Sequence, residues 1–303
     1  MARILITDGM DKTAADSLRK MGHELTEEHF DKEELKKQIK NYDAIIIRSA
    51  TKVTEDIIDS AMETRQLKQV IRAGVGVDNI AVDYALQNGI KVNNTPSASS
   101  AAVAELAIGH MFVLARYIHM ANVTMRDGQW NKKQYKGIEL SGKTLGLIGF
   151  GRIAQETAKR AEVLGMKVIY TNRSGPKDWC ANYEYATLED LLKQSDFISL
   201  HIPFDKSAGA TLGKREFELM KDGTYLVNCA RGGVVDEDAM VDALDSGKLA
   251  GAAVDVFAEE PTKNEKLYTH PKVSLTPHIG ASTKEAQKRI GEEIVSIVKS
   301  NLS

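Results

Sequence analysis

The chain has 303 residues, 43% of them hydrophobic, and a formal net charge of −2. This length predicts two domains or one large domain, with enough apolar side chains for buried cores. The near-neutral charge argues against nucleic-acid or anionic-membrane partners, and no run approaches the roughly 18 apolar residues of a membrane-spanning helix. Cys180 and Cys229 lack metal-site spacing, so we expect no metal and no disulfide framework, as is typical of a soluble cytoplasmic protein.

The first third of the chain alternates strand and helix patterns. Arg48 and Ser49 directly follow one apolar strand, and the loop Ala73-Gly74-Val75-Gly76 follows the next. Ligands of open α/β sheets bind at the carboxyl ends of the strands. The glycine loop has two interpretations, an anion site made of backbone N–H groups or a plain turn. The predicted elements here are Arg3–Thr7, Asp11–Met21, Ala44–Ile47, Gln69–Ile71 and a strand that ends at Val92.

The longest helical pattern runs from Ala98 to about Arg126. It follows a break at Asn93–Pro96, so it predicts a crossover between two domains. His110 and His119 lie on this helix, and we interpret both as packing or surface histidines.

The middle of the chain has the strand, glycine turn, helix and strand of a dinucleotide-binding unit. The two strands are Thr144–Ile148 and Lys167–Tyr170. Gly149 allows a tight turn, and the missing side chain at Gly151 lets a pyrophosphate approach the backbone. We expect the helix that begins near Arg152 to direct N–H groups and its positive dipole end at that pyrophosphate.

The end of the second strand of this unit lacks the acid that usually holds the ribose 2′-hydroxyl. Thr171-Asn172-Arg173-Ser174 stands there instead. Arg173 and Ser174 suit a 2′-phosphate, whereas the plain alternative makes Arg173 a solvated loop residue. The choice between NAD and NADP therefore stays open.

Four further apolar strands follow, and each is succeeded by a polar loop. Because all of them are predicted to be parallel, these loops should line the same rim of the sheet as the glycine turn. The segment Ser282–Glu285 has a capping-box pattern and begins a final helix through Lys299, which we expect to pack on the first domain. The four strands are Phe197–Leu200, Thr224–Val227, Ala252–Val254 and Val273–Leu275.

Three residues on this rim have complementary chemistry. Arg231 is a permanent cation suited to a carboxylate, His278 exchanges a proton near neutral pH, and Glu260 is a candidate partner for that histidine. Such a set would interconvert a 2-hydroxy acid and a 2-keto acid beside a nicotinamide. The plain alternatives are a structural histidine and a solvated pair formed by Glu259 and Glu260.

Three sequence motifs resemble the signatures of the D-isomer-specific 2-hydroxyacid dehydrogenases. They are Asn228–Glu237, Asp255–Pro261 and Pro277–Thr283. The segments Arg48–Thr54 and Arg72–Asn79 are similar to the 3-phosphoglycerate dehydrogenase branch of that family. The resemblance covers nearly the whole chain.

The resemblance implies an α/β fold with two doubly wound parallel-sheet domains of the Rossmann-like or flavodoxin-like type. The substrate domain would comprise residues 1–96 and 284–303, and the cofactor domain, inserted between them, residues 97–283. Members of the family usually dimerise through their cofactor domains, and the helix from Ala98 fits that role. The short form of the chain, which ends at Ser303, leads us to expect no serine-binding regulatory domain.

The resemblance also assigns roles by motif position. Arg231 would bind the substrate carboxylate and carbonyl oxygen, His278 would be the acid/base, and Glu260 its partner. The candidate substrate-binding residues are Arg48, Ser49, Ala73, Gly74, Val75 and Gly76. The candidate cofactor-binding residues are Gly149, Gly151, Arg152, Ile153, Asn172, Arg173, Ile202, Pro203, Cys229, Ala230, Asp255, Gly280 and Ala281.

The expected activity is hydride transfer between D-3-phosphoglycerate and NAD or NADP, at the entry to serine synthesis. Arg48 and Lys52 would meet the phosphate, with Lys132 or Lys133 as a further candidate cation. One alternative is an NADP-dependent glyoxylate or hydroxypyruvate reductase, which Asn172 and Arg173 favour. The other is a nucleotide-sensing interaction protein like the corepressors of the family, against which the retained Arg231, Glu260 and His278 argue without excluding it.

Overall fold

The computed structural model describes residues 1–178 and 182–302, so Cys180 lies outside the described residues. The chain divides into two compact units, one formed by Met1–Ser99 with Ala281–Ser303 and the other by Ser100–Gly280. Each unit contains one sheet, and every strand pair in both sheets is parallel. Apolar clusters line both faces of each sheet, which confirms the predicted class of two doubly wound α/β domains.

The first unit has a five-stranded sheet in the order β2-β1-β3-β4-β5. This is the flavodoxin-like order, with its switch point between β1 and β3. The strands are β1 (Arg3–Ile6), β2 (Glu24–Glu27), β3 (Ala44–Ile47), β4 (Gln69–Arg72) and β5 (Lys91–Asn94). The helices are α1 (Lys12–Lys20), α2 (Lys32–Gln38), α3 (Glu55–Met62), α4 (Val82–Gln87) and the last helix of the chain, α12 (Lys284–Asn301), with a 3₁₀ turn at Ile39–Asn41.

The last helix packs within the first unit. Ile290 and Ile294 belong to the same buried cluster as Ile4 of β1. A Cβ atom on Gly291 would lie 2.6 Å from the Cβ of Ala14, so α12 and α1 approach too closely for a side chain there. The sheet of this unit is therefore covered on one face by the final helix.

The second unit has a seven-stranded sheet in the order β12-β11-β10-β9-β6-β7-β8. Apart from its extra edge strand, this is the Rossmann order, and its switch point falls between β6 and β9. The strands are β6 (Thr144–Ile148), β7 (Lys167–Thr171), β8 (Glu184–Tyr185), β9 (Phe197–Leu200), β10 (Thr224–Asn228), β11 (Leu249–Val254) and β12 (Val273–Leu275). The helices are α5 (Ser100–Ala115), α6 (Ile118–Arg126), α7 (Arg152–Val163), α8 (Leu188–Gln194), α9 (Lys214–Leu219), α10 (Glu237–Asp245) and α11 (Glu265–Tyr268).

The prediction of one long helix from Ala98 to Arg126 is wrong. Helices α5 and α6 meet at a bend of 64°, and Tyr117 between them has a left-handed φ of +55°. The N–H of Ile138 donates to the carbonyl oxygen of Ala115 at 2.9 Å. A Cβ atom on Gly137 would lie 2.2 Å from that oxygen. A distant segment therefore caps α5 and stops it.

Among the other boundaries that differ from the sequence prediction, two have an identifiable hydrogen bond as their reason. The strand expected to end at Val92 continues to Asn94, because β4 pairs with it along its length and Gln69 Nε2 donates to Asn93 Oδ1 at 2.8 Å. At the last helix, Thr283 rather than Ser282 is the N-cap, and its hydroxyl accepts the Ala286 N–H at 3.1 Å.

Two general features bear on function. No single helix among the described residues is long and apolar enough to cross a membrane, and α5 with α6 meets these criteria only as a bent pair. Within residues 1–178 and 182–302, no three His, Cys, Asp or Glu side chains form a group that would hold a metal ion.

Candidate active site

The glycine turn after β6 fits a bound dinucleotide. Gly149 has a φ of +86°, and a Cβ atom there would lie 2.6 Å from the carbonyl oxygen of His201 after β9. Gly151 is the N-cap of α7 without a side-chain cap, and a Cβ atom there would meet nothing within 4 Å. In the described part of the chain, the N–H groups of Arg152 and Ile153 have no protein partner. Open space and unpaired donors at a helix N-terminus are what a pyrophosphate requires.

The segment after β7 fixes the orientation of Asn172. The N–H of Phe150 donates to Asn172 Oδ1 at 2.8 Å, so the amide oxygen faces the glycine turn. Arg173 is 96% exposed, and its Nη1 lies 3.9 Å from Asp205 Oδ2. The first residue after β7 is thus a neutral hydrogen-bonding group, and the next is an exposed cation.

The loop after β9 lies beside the glycine turn, and it begins with His201-Ile202-Pro203. The space next to Gly149 is filled by Ile202 as well as by the His201 carbonyl. His201 Nε2 is 3.0 Å from the Ser199 hydroxyl, and burial lowers the pKa of His201 to about 3, so this ring is neutral. Ile202 and Pro203 therefore lie at the switch point, where α/β sheets bind nucleotides.

The loops after β11 and β12 bring Glu260 and His278 together. His278 Nδ1 lies 2.8 Å from Glu260 Oε2, and Glu260 Oε1 accepts the Phe257 N–H at 3.1 Å. About a third of each side chain is exposed, 33% for His278 and 36% for Glu260. Because an ionised carboxylate only accepts, Nδ1 carries a proton and Nε2 is left for a substrate.

The environment keeps Glu260 ionised. Burial raises its pKa, but the hydrogen bond from His278, the charge of that imidazole, the Phe257 N–H and the nearby Arg231 outweigh this effect, so the net pKa is below its usual value. A carboxylate that stays charged near neutral pH accepts the Nδ1–H of His278 in a charge-assisted hydrogen bond. The pair has the arrangement of a general acid/base and the group that orients it.

Arg231 lies on a loop that the Asn228 side chain holds both as a hydrogen-bond donor and as an acceptor. Asn228 Nδ2 donates to the Arg231 carbonyl at 3.0 Å, and its Oδ1 accepts the Ala230 N–H at 3.1 Å. The guanidinium Nη1 donates to the Ala230 carbonyl at 2.6 Å. A Cβ atom on Gly232 would lie 1.7 Å from the carbonyl oxygen of Phe257, so this loop touches the one that carries Glu260.

Asp255 supports the segment that carries His278. Its Oδ1 accepts the Thr276 hydroxyl at 2.6 Å and the Ile279 N–H at 2.9 Å, and its Oδ2 accepts the Gly280 N–H at 2.9 Å. The sequence indicated a cofactor contact for Asp255 and Gly280 and missed this local role. The contact with a cofactor stays a prediction for both, as it does for Ala281.

His110 extends the same network and matches its interpretation as a packing histidine. It is buried, with Nε2 3.2 Å from the Thr276 hydroxyl and Nδ1 3.2 Å from the Ser274 hydroxyl. Since Thr276 donates to Asp255, its oxygen accepts from Nε2–H, which assigns that tautomer. Burial lowers the pKa of His110, so it is neutral.

Cys229 is a buried free thiol. Burial and the nearby Asp255 charge raise its pKa far above the ordinary range, so it is not a nucleophile. Its predicted place on the nicotinamide side, together with Ala230, stays a prediction.

In the first unit, some of the backbone N–H groups of the glycine loop after β4 are already hydrogen-bonded. The N–H groups of Ala73 and Gly74 already donate to the carbonyls of Ile47 and Arg72, at 2.8 and 2.9 Å. The predicted anion site therefore has fewer open backbone N–H groups than expected. Within the described residues, the N–H groups of Val75 and Gly76 have no partner.

Donors behind this loop hold its carbonyls. Arg72 Nη1 donates to the Ala73 carbonyl and Thr95 N to the Gly74 carbonyl, both at 3.0 Å, and Asn94 Nδ2 bonds the Val75 carbonyl. The Arg72 guanidinium also fills the space that a side chain on Gly74 would need. The loop thus turns its carbonyls inward, as an anion-binding loop requires.

The other predicted substrate loop follows β3. Arg48 is half-buried, whereas Ser49, Ala50 and Lys52 are exposed. The loop therefore presents side chains of positive and hydroxyl character at the carboxyl end of a central strand.

Taken together, the Rossmann sheet, the glycine turn and the His278–Glu260 pair with Arg231 define a nicotinamide-dependent dehydrogenase. A family model described as "D-isomer specific 2-hydroxyacid dehydrogenase, NAD binding domain" matches residues 108–280. The chain belongs to the D-isomer-specific 2-hydroxyacid dehydrogenases. Its cofactor is NAD or NADP.

Known relatives of the chain act on different hydroxy acids. It is 48% identical over 97% of its length to hydroxypyruvate reductase of Thermotoga maritima, of which it covers 96%. It is 44% identical over 99% of its length to D-3-phosphoglycerate dehydrogenase of Methanocaldococcus jannaschii, of which it covers 57%. The chain thus spans little more than half of that relative. The structure of Aquifex aeolicus D-lactate dehydrogenase with NAD and lactic acid matches with a TM-score of 0.86 at 30% identity, covering 98% of this chain and 94% of that one.

Proposed function

We propose that this protein interconverts D-3-phosphoglycerate and 3-phosphohydroxypyruvate with NAD or NADP. The observation that carries the choice of a phosphorylated substrate is the loop after β3, which offers Arg48 and Lys52 as cations and Ser49 as a hydroxyl. A phosphate dianion is bound well by a forked guanidinium beside an ammonium. The 44% identical D-3-phosphoglycerate dehydrogenase supports the same substrate.

The chemistry follows from the residues in the second unit. A nicotinamide dinucleotide, whose pyrophosphate the N–H groups of Arg152 and Ile153 would hold, would supply the hydride acceptor for oxidation and the hydride donor for reduction. In the oxidation, His278 Nε2 takes the hydroxyl proton, while Glu260 holds Nδ1–H at 2.8 Å and stabilises the imidazolium that forms. Arg231 binds the substrate carboxylate and draws electrons from the carbonyl oxygen. In the reduction, His278 returns the proton to that oxygen.

The first unit supplies the remaining substrate contacts in this proposal. The N–H groups of Val75 and Gly76 hold the carboxylate, because the carbonyls of that loop are already bonded. Arg48 and Lys52 hold the phosphate. The substrate is thus bound by backbone donors at one end and by side-chain cations at the other.

The second candidate is a reductase of hydroxypyruvate or glyoxylate. It is favoured by the 48% identical hydroxypyruvate reductase, 96% of which the chain covers. The exposed Arg173 beside Asn172 adds support for NADPH as its reductant. The catalytic roles of Arg231, Glu260 and His278 are the same in both proposals.

A homodimer through the second unit is part of the proposal. Helix α6 and the segment after it expose Val123 by 59%, Met125 by 51% and Trp130 by 77%. Large apolar side chains that are exposed together are typical of an interaction surface. Light scattering of the purified protein tests this, and a monomer at micromolar concentration would contradict it. The cytoplasmic location stays a prediction.

The test of function is a rate assay with two reductants and three keto acids. NADH and NADPH are each paired with 3-phosphohydroxypyruvate, hydroxypyruvate and glyoxylate, and kcat/KM is taken from the loss of reduced nicotinamide. We expect the highest kcat/KM with the phosphorylated substrate. A higher kcat/KM with hydroxypyruvate or glyoxylate would replace the first proposal by the second.

A further inference from the structure

A buried carboxylate holds the Arg48 loop from one side. Asp8 lies two residues after the end of β1, and its side chain is only 5% exposed. Its Oδ2 accepts the N–H groups of Arg48 at 2.7 Å and Thr51 at 3.0 Å, and its Oδ1 accepts the Thr51 hydroxyl at 2.8 Å. His29 Nδ1 lies 3.4 Å from the same Oδ1. Three protein donors therefore compensate the cost of burying this charge.

An amide holds the loop from the other side. Asn79 Nδ2 donates to the carbonyls of Arg48 at 2.8 Å and Thr51 at 2.6 Å. The Asn79 carbonyl also accepts the N–H of Val53 at 2.9 Å, just beyond the loop. Asn79 lies at the end of the segment that begins with the glycine loop, so it ties the two predicted substrate loops together.

These contacts determine what the loop offers to a ligand. Both the N–H and the carbonyl of Arg48 and of Thr51 are engaged within the first unit. The backbone at both ends of the turn is thus unavailable for a substrate, and its side chains are what it presents. Groups that position a substrate lose much of their effect when they are misplaced, and a shift of about 1 Å can lower the efficiency of an enzyme about a hundredfold.

We propose that Asp8 and Asn79 are positioning residues that lock this loop so that Arg48 and Lys52 bind the anionic group of the substrate. This inference rests on the proposed function, in which that loop contacts the substrate. It gives Asp8, which follows β1 at the switch point of the first sheet, a role in substrate recognition without a contact to the substrate.

The experiment compares Asp8→Ala with a matched control. Asp43, just before β3, also accepts a backbone N–H from the neighbouring strand β1, that of Arg3 at 2.7 Å. It lies at the amino ends of these strands, whereas Asp8 lies at their carboxyl ends. KM and kcat are measured for the keto acid that the wild type uses most efficiently. We expect Asp8→Ala to raise KM about tenfold or more with kcat within about threefold, and Asp43→Ala to change neither.

Asp8→Asn is the rescue variant. Its amide oxygen can accept both N–H groups, and its NH₂ can donate to the Thr51 hydroxyl, which can in turn donate to Thr7 Oγ1 at 2.8 Å. We expect its KM to stay within about threefold of the wild type. Asn79→Ala approaches the loop from the other side and should raise KM as Asp8→Ala does, which tests the proposal even where Asp8→Ala does not fold.

The outcomes separate this inference from the proposed function. An unchanged KM in Asn79→Ala and Asp8→Ala, or an equal rise in Asp43→Ala, overturns the positioning role. Equal KM values for Asp8→Asn and Asp8→Ala also overturn it, because hydrogen bonding would then not be the cause. A wild type that prefers glyoxylate overturns the phosphoglycerate proposal, and the comparison of the variants still decides the inference.

Discussion

Two loops at the carboxyl ends of buried strands offer different groups to a ligand, backbone N–H groups in one and side chains in the other. The glycine turn after β6 leaves the N–H groups of Arg152 and Ile153 open, and a Cβ atom on Gly151 would meet nothing within 4 Å. The loop after β3 has its backbone engaged by Asp8 and Asn79 and presents side chains instead. Both are suited to phosphate groups, one through backbone dipoles and the other through cations.

The difference predicts where each loop is sensitive to mutation. A loop that binds through its backbone depends on the glycines within it, because they allow the turn and the close approach. A loop that binds through side chains depends on buried partners elsewhere, and Asp8 is 40 positions from Arg48. The following predictions test this division between side-chain and backbone contributions.

The largest effect is expected at the acid/base. His278→Asn removes the group that exchanges the substrate proton, so kcat should fall about 10²–10⁴-fold. The Kd of NADH, measured by fluorescence, should stay within about twofold because the cofactor would be held mainly by backbone donors. His119→Asn on α6 is the control with the same substitution. Full turnover in His278→Asn would remove this histidine from the mechanism.

Substitutions in the glycine turn should weaken cofactor binding and leave the acid/base residues in place. Gly149→Ala places a Cβ atom 2.6 Å from a carbonyl oxygen at a φ of +86°, so it should cost about 1–3 kcal/mol of unfolding free energy and weaken NADH binding at least about tenfold. Gly151→Ala has a φ of −79° and open space, so it should fold normally and still bind NADH weakly. Urea denaturation and fluorescence titration measure the two effects. Normal NADH affinity in Gly151→Ala would contradict the close approach of the pyrophosphate.

Cofactor choice should respond to the residue after β7. In Asn172→Asp the carboxylate keeps the bond to the Phe150 N–H but repels a 2′-phosphate, so the ratio of the NADPH Kd to the NADH Kd should rise about tenfold. Asp205→Asn removes the acid that lies 3.9 Å from Arg173 and should shift this ratio the other way. A ratio that changes in neither variant would exclude this segment as a determinant.

Stability at low pH should report on Glu260. Its lowered pKa keeps it ionised at neutral pH, and hydrogen bonds from His278 and from the Phe257 N–H hold that charged form in the folded protein. A carboxyl group whose pKa is lower in the folded state stabilises the fold above its unfolded pKa, and this contribution is lost as the pH falls through the lowered value. The excess of unfolding free energy of the wild type over Glu260→Gln, measured by urea denaturation, should therefore shrink from neutral to acid pH. A difference that stays constant with pH would show that ionised Glu260 does not stabilise the fold.

The smallest effect is expected at the last helix, which contains none of the proposed site residues. Thr283→Ala removes the cap on the Ala286 N–H and should cost about 1 kcal/mol of unfolding free energy while leaving KM unchanged. Ser282→Ala should cost much less, since Ser282 is not the cap. Equal losses in the two variants would assign the cap to both residues.

Much of the site was predictable because its signals are local. Arg231, Glu260 and His278 each follow a short apolar strand, and parallel strands bring their carboxyl ends to one rim. The contact between Glu260 and His278 is present as predicted, at 2.8 Å, and their catalytic roles stay predictions. The same rule applied to β1 would have pointed to Asp8, which the sequence reasoning did not single out.

Other features were not predictable because they depend on distant segments. The pattern from Ala98 to Arg126 is helical throughout, but the Ile138 N–H ends α5 at Ala115. The amide of Asn172 is oriented by Phe150, 22 positions earlier in the chain. Neither contact leaves a signal in the periodicity of its own segment.

The sequence by itself determined the alternation of strands and helices, the fold class and the residues at the strand ends, because apolar periodicity and glycine placement act within a few residues. The tertiary structure alone decided which backbone groups remain open, where α5 stops and which buried side chains hold the Arg48 loop. The physical reason is that a hydrogen bond between distant segments exists only once the sheet has aligned them, and the sequence of either segment does not encode its partner.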